Sequence, residues 1–371
     1  MATLLFLDSG TGLPEWKEAV MKTTAAIQVE PRGPLVVDEI DLPHPGPNQV
    51  RVRNFASGVC YSQVHQLRNP RLPRPMALGH EGSGIVTDVG RGVTHVKEGD
   101  HVISTWVPRL PISGLPVSTP TGASFQGQPL IADGDVYTWS EHMVTFAEKV
   151  VPMSPSDPTD ISCLIGCAVL TGAGAVLHTA KVQPGQSVAV FGAGGVGLSA
   201  IGAAAIAGAD PIIAVDLDDR KLQFAKEFGA THGVNASGGD AVNAIWEIDS
   251  GGVDYALDAV GVPETALQIL HAVRQGGPRA DNQGGTAVLV GIPVAEVSFD
   301  LNDILLYQRH YCGSLGSTEP DTDFPLFLQW MREGKFPLEK LVTNRYSLEQ
   351  VEEARVALEE GHILGRAIIE F

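Results

Sequence analysis

The sequence predicts an α/β protein in two parts, a β-rich portion and a doubly wound parallel sheet flanked by helices. Three observations carry this. From Thr24 to about Met153, short alternating segments such as Val50-Arg51-Val52-Arg53 sit between turn residues, as half-buried strands do. After Asp160 the pattern changes to continuous apolar runs alternating with helix-like stretches, the signature of strands covered on both faces. Between the first two of those runs lies a glycine-rich turn that opens a helix.

The elements follow in order. Pro43, Pro45 and Pro47 punctuate a first hairpin-like region, and Gly84–Val89 and His101–Ile103 are further short strands. Pro108 to Asp135 is rich in Pro, Gly and Ser without a period and reads as a long surface loop. Ser187–Phe191 is a buried strand, Val196 to Ala207 a helix, and Pro211–Val215 a second strand ending at Asp216. Arg220 to Phe228 is helical, Gly233-Val234 a short strand, and Tyr255–Asp258 and Thr286–Val290 continue the alternation. Two amphipathic helices and a final strand, Ala367–Phe371, complete the chain.

Composition narrows the function. The 371 residues exceed what one hydrophobic core needs. Acidic residues outnumber basic ones 43 to 25, for a formal charge of −18, and no basic run exists, which excludes a nucleic-acid binder. The longest apolar stretch, near Ser199 to Ala209, is too short and Ala/Gly-rich to span a membrane. The N-terminus lacks the basic region of a secretory signal. Four cysteines are too few for a disulfide scaffold, so they read as reduced thiols of a cytoplasmic protein or as metal ligands.

Gly192-Ala193-Gly194-Gly195-Val196-Gly197 fits the G-x-G-x-x-G dinucleotide pattern in the context the mechanism requires. Gly192 makes the tight turn, Gly194 admits the pyrophosphate backbone, and Gly197 lets the helix pack on the strand. Asp216, at the end of the next strand, accepts the ribose hydroxyls of NAD and repels the extra phosphate of NADP, and Lys221 lies nearby. Cys60, His80 and Cys167 are a thiolate–imidazole–thiolate set suited to catalytic zinc with an open fourth position, and Glu81 beside His80 is a transient fourth ligand. Taken alone, each reads more readily as a buried core residue.

Gly79-His80-Glu81 with Gly84, Gly90 and Val93 resembles the signature of the zinc-containing medium-chain dehydrogenase/reductases, alcohol dehydrogenase type. Val59–Ser62 and Cys163–Cys167, running into Thr171-Gly172, are similar to that family's other ligand segments, and the resemblance spans Thr24 to Phe371. It implies a Rossmann domain over 169–316 and a GroES-like catalytic domain over 1–168 and 317–371, with 1–20 an extension. It implies one catalytic zinc on Cys60, His80 and Cys167 and reversible hydride transfer between an alcohol and NAD. Ser62 would take the alcohol proton and pass it through the nicotinamide ribose to His65. Thr171 and Val196 would back the nicotinamide, Arg366 would contact the pyrophosphate, and Trp106 would wall the substrate pocket. Trp106 and Trp139 together suggest apolar alcohols.

Three departures from the family's pattern stand out. Pro108 to Asp135 lacks the four cysteines of a structural zinc lobe, so none is expected. Gln63 replaces the acid that supports the zinc-bound histidine, and Tyr61 replaces a basic residue near the pyrophosphate. Thiol-dependent formaldehyde dehydrogenase is the nearest alternative, disfavoured by the lack of a basic cluster. A zinc-free enone or quinone reductase is disfavoured by the Cys60/His80/Cys167 set. Gly285 to Gly291 is expected to be the edge strand of the nucleotide sheet, pairing two chains in a homodimer or homotetramer.

Overall fold

The structure is a computed structural model that describes residues 20–109, 119–278, 283–316 and 318–371. The expected N-terminal extension lies outside these, apart from Val20.

Six strands form a sheet in which every pairing is parallel. In spatial order they are His232–Asn235, Ile212–Asp216, Val188–Phe191, Tyr255–Asp258, Thr286–Leu289 and His310–Gly313. Numbered along the chain this is 3-2-1-4-5-6, the order of dinucleotide-binding sheets. The order reverses beside Val188–Phe191, the point at which such sheets bind ligands, and the glycine turn begins at that strand's carboxyl end. All four residues of the strand are buried, which explains its uninterrupted apolar run. The helix Gly195–Ala207 that follows is Ala/Gly-rich, and small side chains let it lie close to the sheet and to the helix Ala168–Gly174. A Cβ at Gly172 would come within 2.2 Å of the Val196 carbonyl oxygen.

Thr286–Leu289 is not the sheet edge. The strand His310–Gly313 pairs outside it. That edge escapes a sequence reading because its residues are only half-buried or exposed and form no apolar run.

The β-rich part holds a closed barrel and a second sheet. In the sheet, Gln49–Val59 lies between Glu81–Val89 and Arg366–Glu370, so the chain's last strand returns to the first part of the molecule. Val342–Ser347, a strand that periodicity did not reveal, pairs in parallel with Arg366–Glu370. The barrel corrects the loop expected over Pro108 to Asp135. Thr119–Phe125 and Gln128–Ala132 are strands of its wall, held by partners as distant as Asp41 and Met76. Their Pro and Gly content hides them, because here long-range pairing overrides local propensity.

Candidate active site

Cys60 follows the strand Gln49–Val59 and caps the helix Tyr61–Arg68. His80 immediately precedes Glu81–Val89, and Cys167 stands at the junction between the turn Ile161–Gly166 and the helix Ala168–Gly174. Thr105, the register partner of Glu81, donates to the Gly166 carbonyl at 2.8 Å and fixes that junction. Three segments far apart in sequence thereby converge. Ligand atoms of Cys60, His80, Glu81 and Cys167 all lie within 4.8 Å of one another, and all four residues are buried.

The spacing suits one tetrahedral ion. The two Sγ atoms are 4.0 Å apart, and His80 Nε2 is 3.1 Å from Cys167 Sγ. Thiolates bonded to one zinc at about 2.3 Å stand roughly 3.8 Å apart. The donor set, two sulfurs and one imidazole, is that of a catalytic zinc site with an open position. The cluster is also electrostatically coupled. A hydrogen bond from Cys167, helped by Arg366, holds the Cys60 thiol well below its usual pKa, while the same bond and burial push Cys167 up. Burial raises Glu81 against the pull of Arg366.

Glu81 faces two ways. Its Oε1 accepts from Arg366 at 2.6 Å and its Oε2 from the Ala168 backbone N–H at 3.2 Å. Burial works against the Arg366 charge, but Glu81 and the thiols keep that guanidinium protonated. On its other side Arg366 lies under the glycine turn, where a Cβ at Gly195 would meet its Cδ at 2.6 Å. Among the described residues its buried Nε has no hydrogen-bond partner. An orphaned donor beneath the turn fits an anionic pyrophosphate.

The turn has the required shape. Gly192 has φ of +91°, and a Cβ at Gly197 would fall 1.7 Å from the Gly192 carbonyl oxygen. Nothing stands within 4 Å of where a Gly194 side chain would be, leaving room for a ligand at the helix N-terminus. Asp216 accepts the Ala193 backbone N–H at 2.8 Å, which seats its carboxylate beside the turn.

Two domain families match the chain. One, the alcohol dehydrogenase GroES-like domain, covers residues 46–155, and the other, zinc-binding dehydrogenase, covers 195–333. The class-3 alcohol dehydrogenase of Cereibacter sphaeroides is 34% identical over 94% of this chain and 100% of its own length. This chain belongs to the zinc-containing alcohol dehydrogenase family. Other members it resembles include an S-(hydroxymethyl)glutathione dehydrogenase of Haemophilus influenzae, 32% identical over 95% of this chain and 98% of that protein. The crystal structure of benzyl alcohol dehydrogenase from Acinetobacter calcoaceticus superposes with a TM-score of 0.84 at 30% identity, covering 95% and 100% of the two chains. Like these relatives, the protein is an oxidoreductase.

In this dehydrogenase, Ser62 Oγ lies 3.4 Å from His80 Nε2, at the mouth of the cluster. His65, one helical turn on, is half-buried against Tyr61 at 5.3 Å between ring centroids. Burial and, after it, Arg68 lower its pKa. Thr171 donates its backbone N–H to the Cys167 carbonyl, tying Cys167 to the helix that packs on Val196. Lys221 sits on the helix Asp219–Ala225 that follows Asp216. Trp106 directly follows Thr105, is half-buried, and packs against the hydrophobic core. Trp139, in contrast, is core: it is 1% exposed, and its indole donates to the Gly58 carbonyl. Lys149 was not anticipated. Its buried ammonium donates to the Trp106 carbonyl at 2.7 Å and fixes the backbone of that segment. Its only sequence signal is a charge next to the apolar run Val150-Val151.

Proposed function

We propose that the protein is an NAD-dependent zinc alcohol dehydrogenase that interconverts small alcohols with aldehydes or ketones. The observation that carries this reading is the buried Cys60/His80/Cys167 cluster, joined through Glu81 and Arg366 to the glycine turn. When bound there, zinc supplies a Lewis acid that lowers the pKa of an alcohol oxygen, and NAD supplies the hydride acceptor.

The chain's residues do the rest. Cys60, His80 and Cys167 hold the metal in a buried site that excludes water. Ser62 accepts the hydroxyl proton of the substrate, and His65, at the far end of the relay, passes it to solvent. Burial favours the neutral ring, which is the form able to take that proton. Arg366 and the amino end of the helix Gly195–Ala207 bind the pyrophosphate. Asp216 selects NAD by repelling a ribose phosphate. Thr171 and Val196 shape the nicotinamide seat, and Trp106, anchored by Lys149, walls the substrate side.

One zinc per chain follows from the absence of cysteine between Pro108 and Asp135. Among the described residues no helix is long and apolar enough to cross a membrane. Four unpaired thiols suit the reducing cytoplasm. The free edge at His310–Gly313 is flanked by exposed Leu301, Leu305 and Leu306, and it supports assembly into a homodimer or a pair of dimers.

The Haemophilus relative's name favours a second reading, oxidation of a hydroxymethyl–thiol adduct. A panel of primary, secondary and aromatic alcohols with NAD, run beside formaldehyde plus glutathione, separates the two. Turnover of simple alcohols without thiol supports the first reading. Strict thiol dependence supports the second.

A further inference from the structure

Gln63 is fully buried on the first turn of the helix Tyr61–Arg68 and touches two polar groups of the metal cluster. Its Oε1 accepts the Cys60 backbone N–H at 2.8 Å, and its Nε2 stands 2.5 Å from His80 Nδ1. With the amide this way round, Nδ1 accepts and the ring proton sits on Nε2, which faces Cys167 Sγ at 3.1 Å. That ring presents no lone pair to a metal. To ligate through Nε2, the neutral imidazole must carry its proton on Nδ1 and donate it to an acceptor.

The amide cannot satisfy that second state without a loss. If it stays, the Nδ1–H points at an NH2 group. If it turns over, Oε1 meets Nδ1–H and the NH2 group faces the Cys60 N–H. An amide offers one acceptor oxygen, and the cluster presents two donors whenever metal is bound. Among the described residues, no other group hydrogen-bonds to Nδ1. A buried donor left unpaired is a cost borne by the loaded state alone.

Resting on the zinc reading above, we propose that Gln63 is a positioning residue that makes this a loosely held, exchangeable zinc site. A carboxylate at position 63 removes the conflict. Glutamate has the same length as glutamine, and its two oxygens accept the Cys60 N–H and the His80 Nδ1–H together. Hydrogen-bond partners of metal-bound histidines typically change metal affinity by about 10–100-fold.

The test is zinc competition against a chromogenic chelator on the purified full chain, comparing wild type with Gln63→Glu. Zinc affinity should rise by about 10–100-fold in the variant, with slower release. Equal or weaker affinity in a folded Gln63→Glu protein overturns the proposal. Should that variant not fold, Gln63→Asp, whose carboxylate need only accept the His80 Nδ1–H, should raise zinc affinity above wild type, and equal or weaker affinity in it overturns the proposal. Failure of the underlying zinc reading looks different: wild type then takes up no zinc, or Cys60→Ser binds as much as wild type.

Discussion

The Arg366 guanidinium and the Glu81 carboxylate form a buried ion pair, 2.6 Å long, between the Cys60/His80/Cys167 cluster and the glycine turn. The last strand of the chain thus carries a charge into the heart of a site built by its first half.

Breaking that pair from one side leaves an uncompensated charge in the interior. Arg366→Met should destabilise the protein by roughly 3–5 kcal/mol and weaken NAD binding. Adding Glu81→Gln should restore part of the stability but not the cofactor affinity. Thermal unfolding and cofactor titration measure the two effects, and an unchanged Tm in Arg366→Met would contradict this role.

Asp216, held beside the turn through Ala193, should set cofactor choice. Asp216→Ala should raise the use of NADP relative to NAD in kcat/KM. A wild-type preference for NADP would refute the assignment.

The proton relay has a pH signature. Ser62→Ala should lower alcohol oxidation by about a hundredfold or more. His65 needs its neutral form to accept a proton. Burial lowers its pKa, so the acid-side fall in rate should lie below the usual histidine value of about 6.5. Activity is retained above that point and lost as pH drops through it, because the ring then already holds a proton. In His65→Gln this inflection should vanish, with a smaller loss of rate than in Ser62→Ala. Wild-type rates and profiles in both variants would return these residues to structural roles.

Assembly should run through the edge at His310–Gly313. Light scattering of the wild type at micromolar concentration should give a dimer or larger. Leu301→Asp with Leu305→Asp should shift it to monomer. A monomeric wild type would sink the idea.

The parallel sheet was legible because strands covered on both faces must be apolar throughout, and Val188–Phe191 and Ile212–Asp216 are close to that limit. The barrel strands around Gly122 and Pro129 were not, since their stability comes from partners far along the chain. Strand order was hidden too. Nothing in Thr286–Leu289 says that His310–Gly313 pairs outside it. In the site, residue types singled out Cys60, His80 and Cys167 as a set, but their proximity came only with folding. The bond of Arg366 to Glu81, 285 residues away in sequence, was not legible at all.

The central claim is that Cys60, His80 and Cys167 hold one catalytic zinc. Metal analysis of purified wild type and Cys60→Ser, alongside NAD-dependent alcohol oxidation, tests it most directly. The account predicts one equivalent of zinc per wild-type chain, with zinc and activity lost together in a Cys60→Ser protein that remains folded. Activity that persists in Cys60→Ser, or a wild type active without zinc, would contradict it.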